Sequence, residues 1–344
     1  MKTIELNNAV QVEGIDLHDD ESCRALGKLI AEKCVVFVRD SVSEARLHEI
    51  HTLWGQPYLG PMYNYIVQRK LTGPHWRRYL VSTNNISKGL GTKEKRPGMV
   101  RVSFEKNARG KPQGLFTNGS LDWHSDNQAS FDRQKVVGLM SLWGSKNSQT
   151  SFLSTAKAYA AMSAQDRSMA EELYSVWAWD GLMSPDLIPS QQEIVKYNIA
   201  PLAGMECPLV DETNAGVKGI RFPTHSFSHF RGMGRTESLK VRDHLWAQIN
   251  RPEYIYTHDW QDNEIVFMDQ NITLHARPTN VQEGDRRTMC RMCSYLDRIY
   301  PDRGPVDFVW FKGERISHDE FITLIDAQQA KDYTLEKSGQ VHVH

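Results

Sequence analysis

Glu264-Ile265-Val266-Phe267-Met268-Asp269 reads as a strand, and the Gln270-Asn271-Ile272-Thr273-Leu274-His275 that follows leads into a second strand ending on a histidine. The first is a short apolar run of the kind that suits a buried strand. Working outward, short strands are also expected at Gly219 to Phe222, Ile255 to His258, Arg287 to Tyr295, Val136 to Trp143 and Val10 to Leu17, and in the run Cys34-Val35-Val36-Phe37-Val38. Helical spacing marks residues 21–33, with Asp19 or Asp20 as cap, and 43–54, with Ser43 as cap. It also marks the start of a helix at Lys157 to Met162, then residues 166–178 and 236–249. Many short strands with helices packed outside point to an α+β chain built on a double-stranded β-helix, or jelly-roll, core. No internal repeat or interdomain linker interrupts residues 1–344, so one domain is expected.

Residues 60–118 break this pattern. They are loop-like, with strand candidates only at Tyr79 to Thr83 and Met99 to Phe104. So long an irregular stretch in a compact domain usually has a functional reason, such as a lid. The formal net charge is −1, yet Arg69 to Lys111 holds twelve Lys or Arg residues and two acids. This basic insertion is expected to act as a lid or substrate loop that focuses positive potential and draws in an anionic substrate. A solvated surface loop is the competing reading.

Two segments carry the chemistry. In Leu121-Asp122-Trp123-His124-Ser125-Asp126, a strand would turn His124 and Asp126 to the same face. His275 follows 151 residues after His124, and a barrel can bring the two together. Two imidazoles and one carboxylate on one side of a six-coordinate ion leave three positions open, as in non-haem iron(II) oxygenases, whereas zinc more often closes with four protein ligands or keeps one water. Further on, Arg287, Met289 and Arg291 share one face of a strand, and Arg286 and Cys290 the other. An inward guanidinium there can clamp a carboxylate with two parallel hydrogen bonds, which suits a dicarboxylic co-substrate.

Taken in order, these motifs resemble the taurine dioxygenase family of iron(II)- and 2-oxoglutarate-dependent oxygenases. The resemblance rests on Val12-Glu13-Gly14-Ile15-Asp16-Leu17, Val35-Val36-Phe37, Trp123-His124-Ser125-Asp126, Met268-Asp269 to Leu274-His275-Ala276-Arg277, and Arg286-Arg287-Thr288-Met289-Cys290-Arg291. It implies a dioxygenase using Fe(II), 2-oxoglutarate and O2 to oxidise, most simply to hydroxylate, an unactivated C–H bond with release of succinate and CO2. His124, Asp126 and His275 correspond to the catalytic iron ligands, Arg287 and Thr150 to the residues holding 2-oxoglutarate, and Arg291 and Tyr63 to substrate contacts. Gly60-Pro61-Met62-Tyr63 lacks the histidine of the taurine-binding segment, and Ser120 replaces an expected asparagine. Taurine is therefore a poor substrate guess. The expected substrate is a small, anionic, amino-acid-like or natural-product molecule. The alternative from another class is a non-catalytic jelly-roll protein that keeps its metal as structure or sensor.

The remaining features bound the answer. No apolar run approaches the roughly 18 residues of a membrane span, and the opening Met1-Lys2-Thr3-Ile4-Glu5 does not read as a secretory signal, so a cytoplasmic protein is expected. Five scattered cysteines argue against a disulfide framework, and the Cys290-x-x-Cys293 pair reads as two ordinary cysteines in a strand. His225 and His229 have the helical spacing of a zinc site but no glutamate between them; His48 and His51 have the wrong spacing. Nucleic-acid stacking motifs are not evident. Homo-oligomerisation and a carrier-protein-linked substrate stay open.

Overall fold

The computed structural model describes residues 1–58, 74–75, 96–110, 114, 121–126, 134–146, 148–178, 203–224, 227–278, 286–303 and 308–338. Tyr63, Ser120, His225, the Tyr79 to Thr83 segment and most of the basic stretch lie outside these residues.

The chain opens with strands β1 (Lys2–Leu6) and β2 (Ala9–Glu13), helix α1 (Asp20–Lys33), strand β3 (Val35–Val38) and helix α2 (Glu44–Trp54). Asp19 caps α1 by accepting the Ser22 N–H at 2.7 Å, and Ser43 caps α2 by accepting the Arg46 N–H at 3.1 Å. Then come β4 (Met99–Ser103), β5 (Leu121–His124), β6 (Lys135–Trp143) and β7 (Gln149–Ser154). Helices α3 (Thr155–Ala161) and α4 (Ala164–Glu172) lead into β8 (Tyr174–Trp177). Beyond them lie β9 (Met205–Pro208), β10 (Val210–Glu212), β11 (Lys218–Ile220), β12 (Phe227–Phe230), α5 (Arg235–Ile249), β13 (Ile255–Asp259), β14 (Ile265–Asp269), β15 (Thr273–Arg277) and β16 (Thr288–Tyr295). The described chain ends with β17 (Phe308–Phe311), β18 (Glu314–Ser317) and α6 (His318–Lys337).

Among the described residues the strands form a large sheet in the order β1-β2-β3-β14-β6-β16-β4 and a smaller one in the order β13-β7-β15-β5. A third sheet, β12-β8-β9-β17-β18, lies alongside the β10-β11 hairpin. Pairing is antiparallel except between β2 and β3. This is a mixed α+β architecture.

Period two along the strands decides what each face meets. On one face of the large sheet, Val36 and Val38, Val136 and Met140, Ile265 and Phe267, and Cys290 and Met292 pack with Leu26, Ile30, Leu47 and Ile50 of α1 and α2. On the other, Val35 and Phe37, Val137 and Leu139, Val266 and Met268, and Met289 and Cys293 pack with Phe152 of the smaller sheet and with Trp260. Gly138 lets α2 sit close, since a Cβ there would stand 2.6 Å from His51 Nε2. Cys290 and Cys293 thus fall into different cores. All five cysteines are buried and none is in a disulfide, in keeping with a pair that is ordinary strand.

Several expectations are corrected. The helix over 166–178 stops at Glu172, because Leu173 turns the chain into β8, which pairs between β12 and β9. His229 lies on the strand Phe227–Phe230, in keeping with a pair that is no zinc helix, and His225 lies outside the described residues. The first expected strand ends at Glu13, before Gly14 at φ +65°. Strand β1 and helix α6 are additions to the sequence reading. No helix among the described residues is long and apolar enough to cross a membrane.

Between β14 and β15 the turn is built on Asp269, fully buried. Its carboxylate accepts the Asn271 and Ile272 N–H groups at 2.9 and 2.7 Å and the Gln134 amide at 2.7 Å. Asp269→Ala would strand three donors and should cost about 3 kcal/mol in urea unfolding. Burial pushes this carboxyl up from 3.8 to about 6. The folded chain therefore holds the proton more tightly, and the stabilisation it adds is full below about pH 4 and lost as pH rises through about 6. Asp269→Asn has no such proton and should flatten this part of the stability profile between pH 4 and 7; parallel profiles would contradict the assignment.

Candidate active site

The turn on Asp269 aims β15 across the smaller sheet, where His275 pairs opposite His124 of β5 and Phe152 of β7. The two imidazole centroids are 4.1 Å apart. Strand β5 ends at His124, so Asp126 sits in the turn two residues beyond it and not in the expected strand. Gln270 holds that turn from both sides. Its side-chain oxygen accepts the Asp126 N–H at 3.0 Å, and its carbonyl accepts the Ser125 hydroxyl at 2.6 Å. The carboxylate consequently stays beside the imidazoles, with Oδ1 4.0 Å from His124 Nε2.

One ligand atom from each of His124, Asp126 and His275 lies within 4.8 Å of the other two. The chemistry of these donors fits a metal. His124 Nδ1 donates to the Asp122 carbonyl at 2.7 Å, which fixes the tautomer and makes Nε2 the lone-pair nitrogen of the ring. Burial pushes His275 down to about 3, so its imidazole is neutral at any working pH. His275 Nδ1 is buried with no hydrogen-bond partner among the described residues. Burial acts to raise the Asp126 carboxyl, but the Arg291 guanidinium together with the neighbouring imidazoles outweighs it and holds the group well below the usual carboxylate range. Arg291 Nε and Nη2 both reach Asp126 Oδ2, at 2.8 and 2.7 Å, so Oδ1 is the oxygen left for an ion.

His124, Asp126, His275, Thr150, Arg287 and Arg291 all line one cavity between the two sheets. It holds about 510 Å³ of free space, its open mouth included. Tyr63 lies outside the described residues. Arg287 is 3% exposed, and its Nε is buried without a hydrogen-bond partner among the described residues. Burial, and then the neighbouring Arg277, lower its pKa to about 9, which still leaves it charged at neutral pH. Thr150 is buried, and its Oγ1 accepts the Trp260 indole N–H at 2.9 Å. The hydroxyl proton is thereby turned toward another acceptor.

Three further residues shape the cavity beyond those the sequence reading names. Arg277 lines it directly, Trp260 orients Thr150, and Gln270 orients Asp126. Arg277 has a sequence signal, since it stands two residues after His275 on the same strand. Trp260 and Gln270 have none, because their partners are distant in sequence.

Such a constellation can hold one divalent ion on a single side, with about three positions of a six-coordinate ion open. Beside it stands the Arg287 guanidinium, its Nε without a partner among the described residues, able to take a carboxylate. Comparison with known proteins agrees. The family model for the taurine catabolism dioxygenase TauD, TfdA family matches residues 2–293. Pentalenolactone F synthase of Streptomyces arenae is 28% identical over 82 residues, which cover 24% of this chain and 27% of that protein. A taurine dioxygenase structure from Burkholderia xenovorans superposes with a TM-score of 0.58 at 18% identity, covering 90% of this chain and 92% of that one. The structure of AAD-2 in complex with Mn(II) and N-oxalylglycine gives a TM-score of 0.57 at 15% identity, over 86% and 97% of the two chains. At these identities the two structures bear on the jelly-roll fold alone. The family model spans most of the chain, and on that ground the protein belongs to the TauD/TfdA family and is a 2-oxoglutarate-dependent dioxygenase.

Proposed function

We propose that this dioxygenase hydroxylates an unactivated C–H bond of a small anionic substrate, amino-acid-like or a natural product, at an iron held by His124, Asp126 and His275. One observation carries the reading: three metal-competent donors line the same cavity as the buried guanidinium of Arg287, whose Nε has no hydrogen-bond partner among the described residues. The partial likeness to pentalenolactone F synthase supports a natural-product substrate. Iron(II) and 2-oxoglutarate, when bound, supply the redox chemistry that couples oxidative decarboxylation to C–H oxidation.

The chain supplies placement. Arg291 keeps Asp126 ionised and leaves one carboxylate oxygen to the metal. Arg287 takes the far carboxylate of 2-oxoglutarate, and Thr150, its oxygen occupied by Trp260, donates its proton to the same group. The apolar walls formed by Val102, Val137, Leu139 and Met268 exclude water and strengthen these contacts. Since Arg291 already bonds Asp126, a substrate anion at this end would share that guanidinium or meet another cation. Within the basic stretch from Arg69 to Lys111, Met99–Ser103 is strand β4 of the large sheet and Arg101 is paired with Glu44, so the part ahead of β4, Arg69 to Arg96, is the proposed source of such cations, acting as a lid that recruits the substrate.

Turnover is tested by succinate release with iron(II), 2-oxoglutarate and a panel of small amino acids, sulfonates, nucleotides and carrier-bound acyl groups. His275→Ala should keep its circular dichroism spectrum and lose coupled turnover by at least about 100-fold, since even outer partners of metal ligands are worth about 10–100-fold. Arg287→Lys keeps the charge but not the fork, so 2-oxoglutarate should bind about 10-fold more weakly with metal affinity intact. Retained activity in the first variant, or unchanged co-substrate affinity in the second, would end the corresponding assignment. For the lid, neutralising Lys93, Lys95 and Arg96 together should raise the Michaelis constant for the substrate and flatten its salt dependence. If neither moves, the basic stretch is surface only.

A further inference from the structure

Glu264 does not line the cavity, yet its side chain is only 5% exposed, just ahead of β14. Its carboxylate gathers donors from three separate segments. Oε2 accepts the Gln261 N–H at 2.9 Å and His258 Nε2 at 3.0 Å, and Oε1 accepts Arg39 Nη1 at 3.1 Å. His258 and Gln261 lie on either side of Trp260 in the chain, so one carboxylate brackets that residue. The Trp260 backbone N–H is held as well, by the Ser148 carbonyl at 3.0 Å.

His258 carries this hold to the co-substrate side. In the ladder between β13 and β7 it stands directly opposite Thr150, so the two side chains share the inner face of the smaller sheet. A carboxylate can only accept, which puts the imidazole proton on Nε2 and leaves Nδ1 to accept the Tyr256 hydroxyl at 2.8 Å. Burial favours this neutral ring. With both nitrogens engaged, the ring is wedged between Phe37 and Trp260, its centroid 4.3 Å from the first and 4.6 Å from the second, edge-on to the indole at 82°. The indole is thus fixed at its backbone and by the locked ring beside it, and its N–H meets Thr150 Oγ1 at 2.9 Å. That contact engages the hydroxyl oxygen and keeps the hydroxyl proton for an acceptor in the cavity.

We propose that Glu264 is a positioning residue for the co-substrate: through His258 and Trp260 it fixes the orientation of the Thr150 hydroxyl toward the far carboxylate of 2-oxoglutarate. This rests on the reading of Thr150 given above and extends it. Its mark is selectivity. A hydroxyl held toward that carboxylate favours 2-oxo acids that carry one, and does nothing for those that end in a methyl group.

The experiment is equilibrium binding to the Mn(II)-loaded protein without oxygen, by calorimetry. The probes are N-oxalylglycine, which carries the far carboxylate, and 2-oxopentanoate, which lacks it. Glu264→Gln keeps the shape and loses the second strong acceptor; it should weaken N-oxalylglycine about 5-fold, the span of one ordinary hydrogen bond, and leave 2-oxopentanoate and Mn(II) affinity as in the parent. His258→Phe keeps a ring beside Trp260 and cuts its link to Glu264, so it should do the same and decides the matter if Glu264→Gln does not fold. In a Thr150→Val background neither substitution should weaken N-oxalylglycine further, because the hydroxyl they orient is gone. N-oxalylglycine affinity within twofold of the parent in the folded variants overturns the proposal. So does an equal loss for both probes, or a loss that persists undiminished beside Thr150→Val, either of which would mark Glu264 as a packing residue. Thr150→Val alone separates the two levels of the argument. If it weakens N-oxalylglycine while Glu264→Gln and His258→Phe do not, Thr150 keeps its role and the positioning by Glu264 falls. If Thr150→Val binds N-oxalylglycine as the parent does, the reading of Thr150 falls as well.

Discussion

The register of β15 against its neighbours is the constraint on which the site depends. His275 faces His124 on one side and Phe152 on the other. A slip of one residue would turn His275 and Arg277 to the opposite face together. The register is pinned from one end by the Asp269 turn, whose buried carboxylate takes two backbone N–H groups and the Gln134 side chain. Gln134 also accepts the Asn214 N–H, which links the turn to the loop beyond β10. Gln270, the next residue along, holds the turn that presents Asp126. A short hydrogen-bonded segment thus places two of the three candidate ligands, and the β5–β15 ladder places the third.

Electrostatics then divides the cavity into two ends. At the metal end a single carboxylate, Asp126, is matched by Arg291, and the two imidazoles add no charge in the neutral form that burial favours for His275. At the far end Arg277 and Arg287 stand over Phe104. The described lining therefore carries more positive than negative charge before any ion enters. That balance suits a dicarboxylate bridging the two ends, and it leaves room for an anionic substrate.

Much of this was legible in the sequence, for physical reasons that differ by residue. The apolar run Ile265–Met268 predicts a buried strand and period two from Arg287 to Arg291 a two-faced one, and the structure divides Cys290 and Met292 from Met289 and Cys293 as period two requires. The caps Asp19 and Ser43 are local, so they too can be read directly. Asp126 comes beside His124 and His275 through a turn in place of a strand, because a His-x-Asp pattern does not show where pairing ends. Residues 166–178 read as one helix since helical spacing persists through Trp177, whereas β8 exists only because β12 and β9 flank it. Trp260 and Gln270 act on partners more than a hundred residues away, Thr150 and Asp126, and no local pattern announces them. Arg291 could be read as a cation facing the site, but its bond to Asp126 emerges only once β16 and the turn after β5 meet.

The central claim is that His124, Asp126 and His275 form an open-sided iron site next to a carboxylate clamp. Anaerobic titration of the apoprotein with iron(II), followed by 2-oxoglutarate, tests it most directly. The account predicts one iron per chain and a visible metal-to-ligand charge-transfer band that appears with 2-oxoglutarate and not with succinate, since only the 2-oxo acid can chelate through its keto and carboxylate oxygens. One iron bound with no such band on adding 2-oxoglutarate would mean that the coordination sphere is closed, and would contradict it.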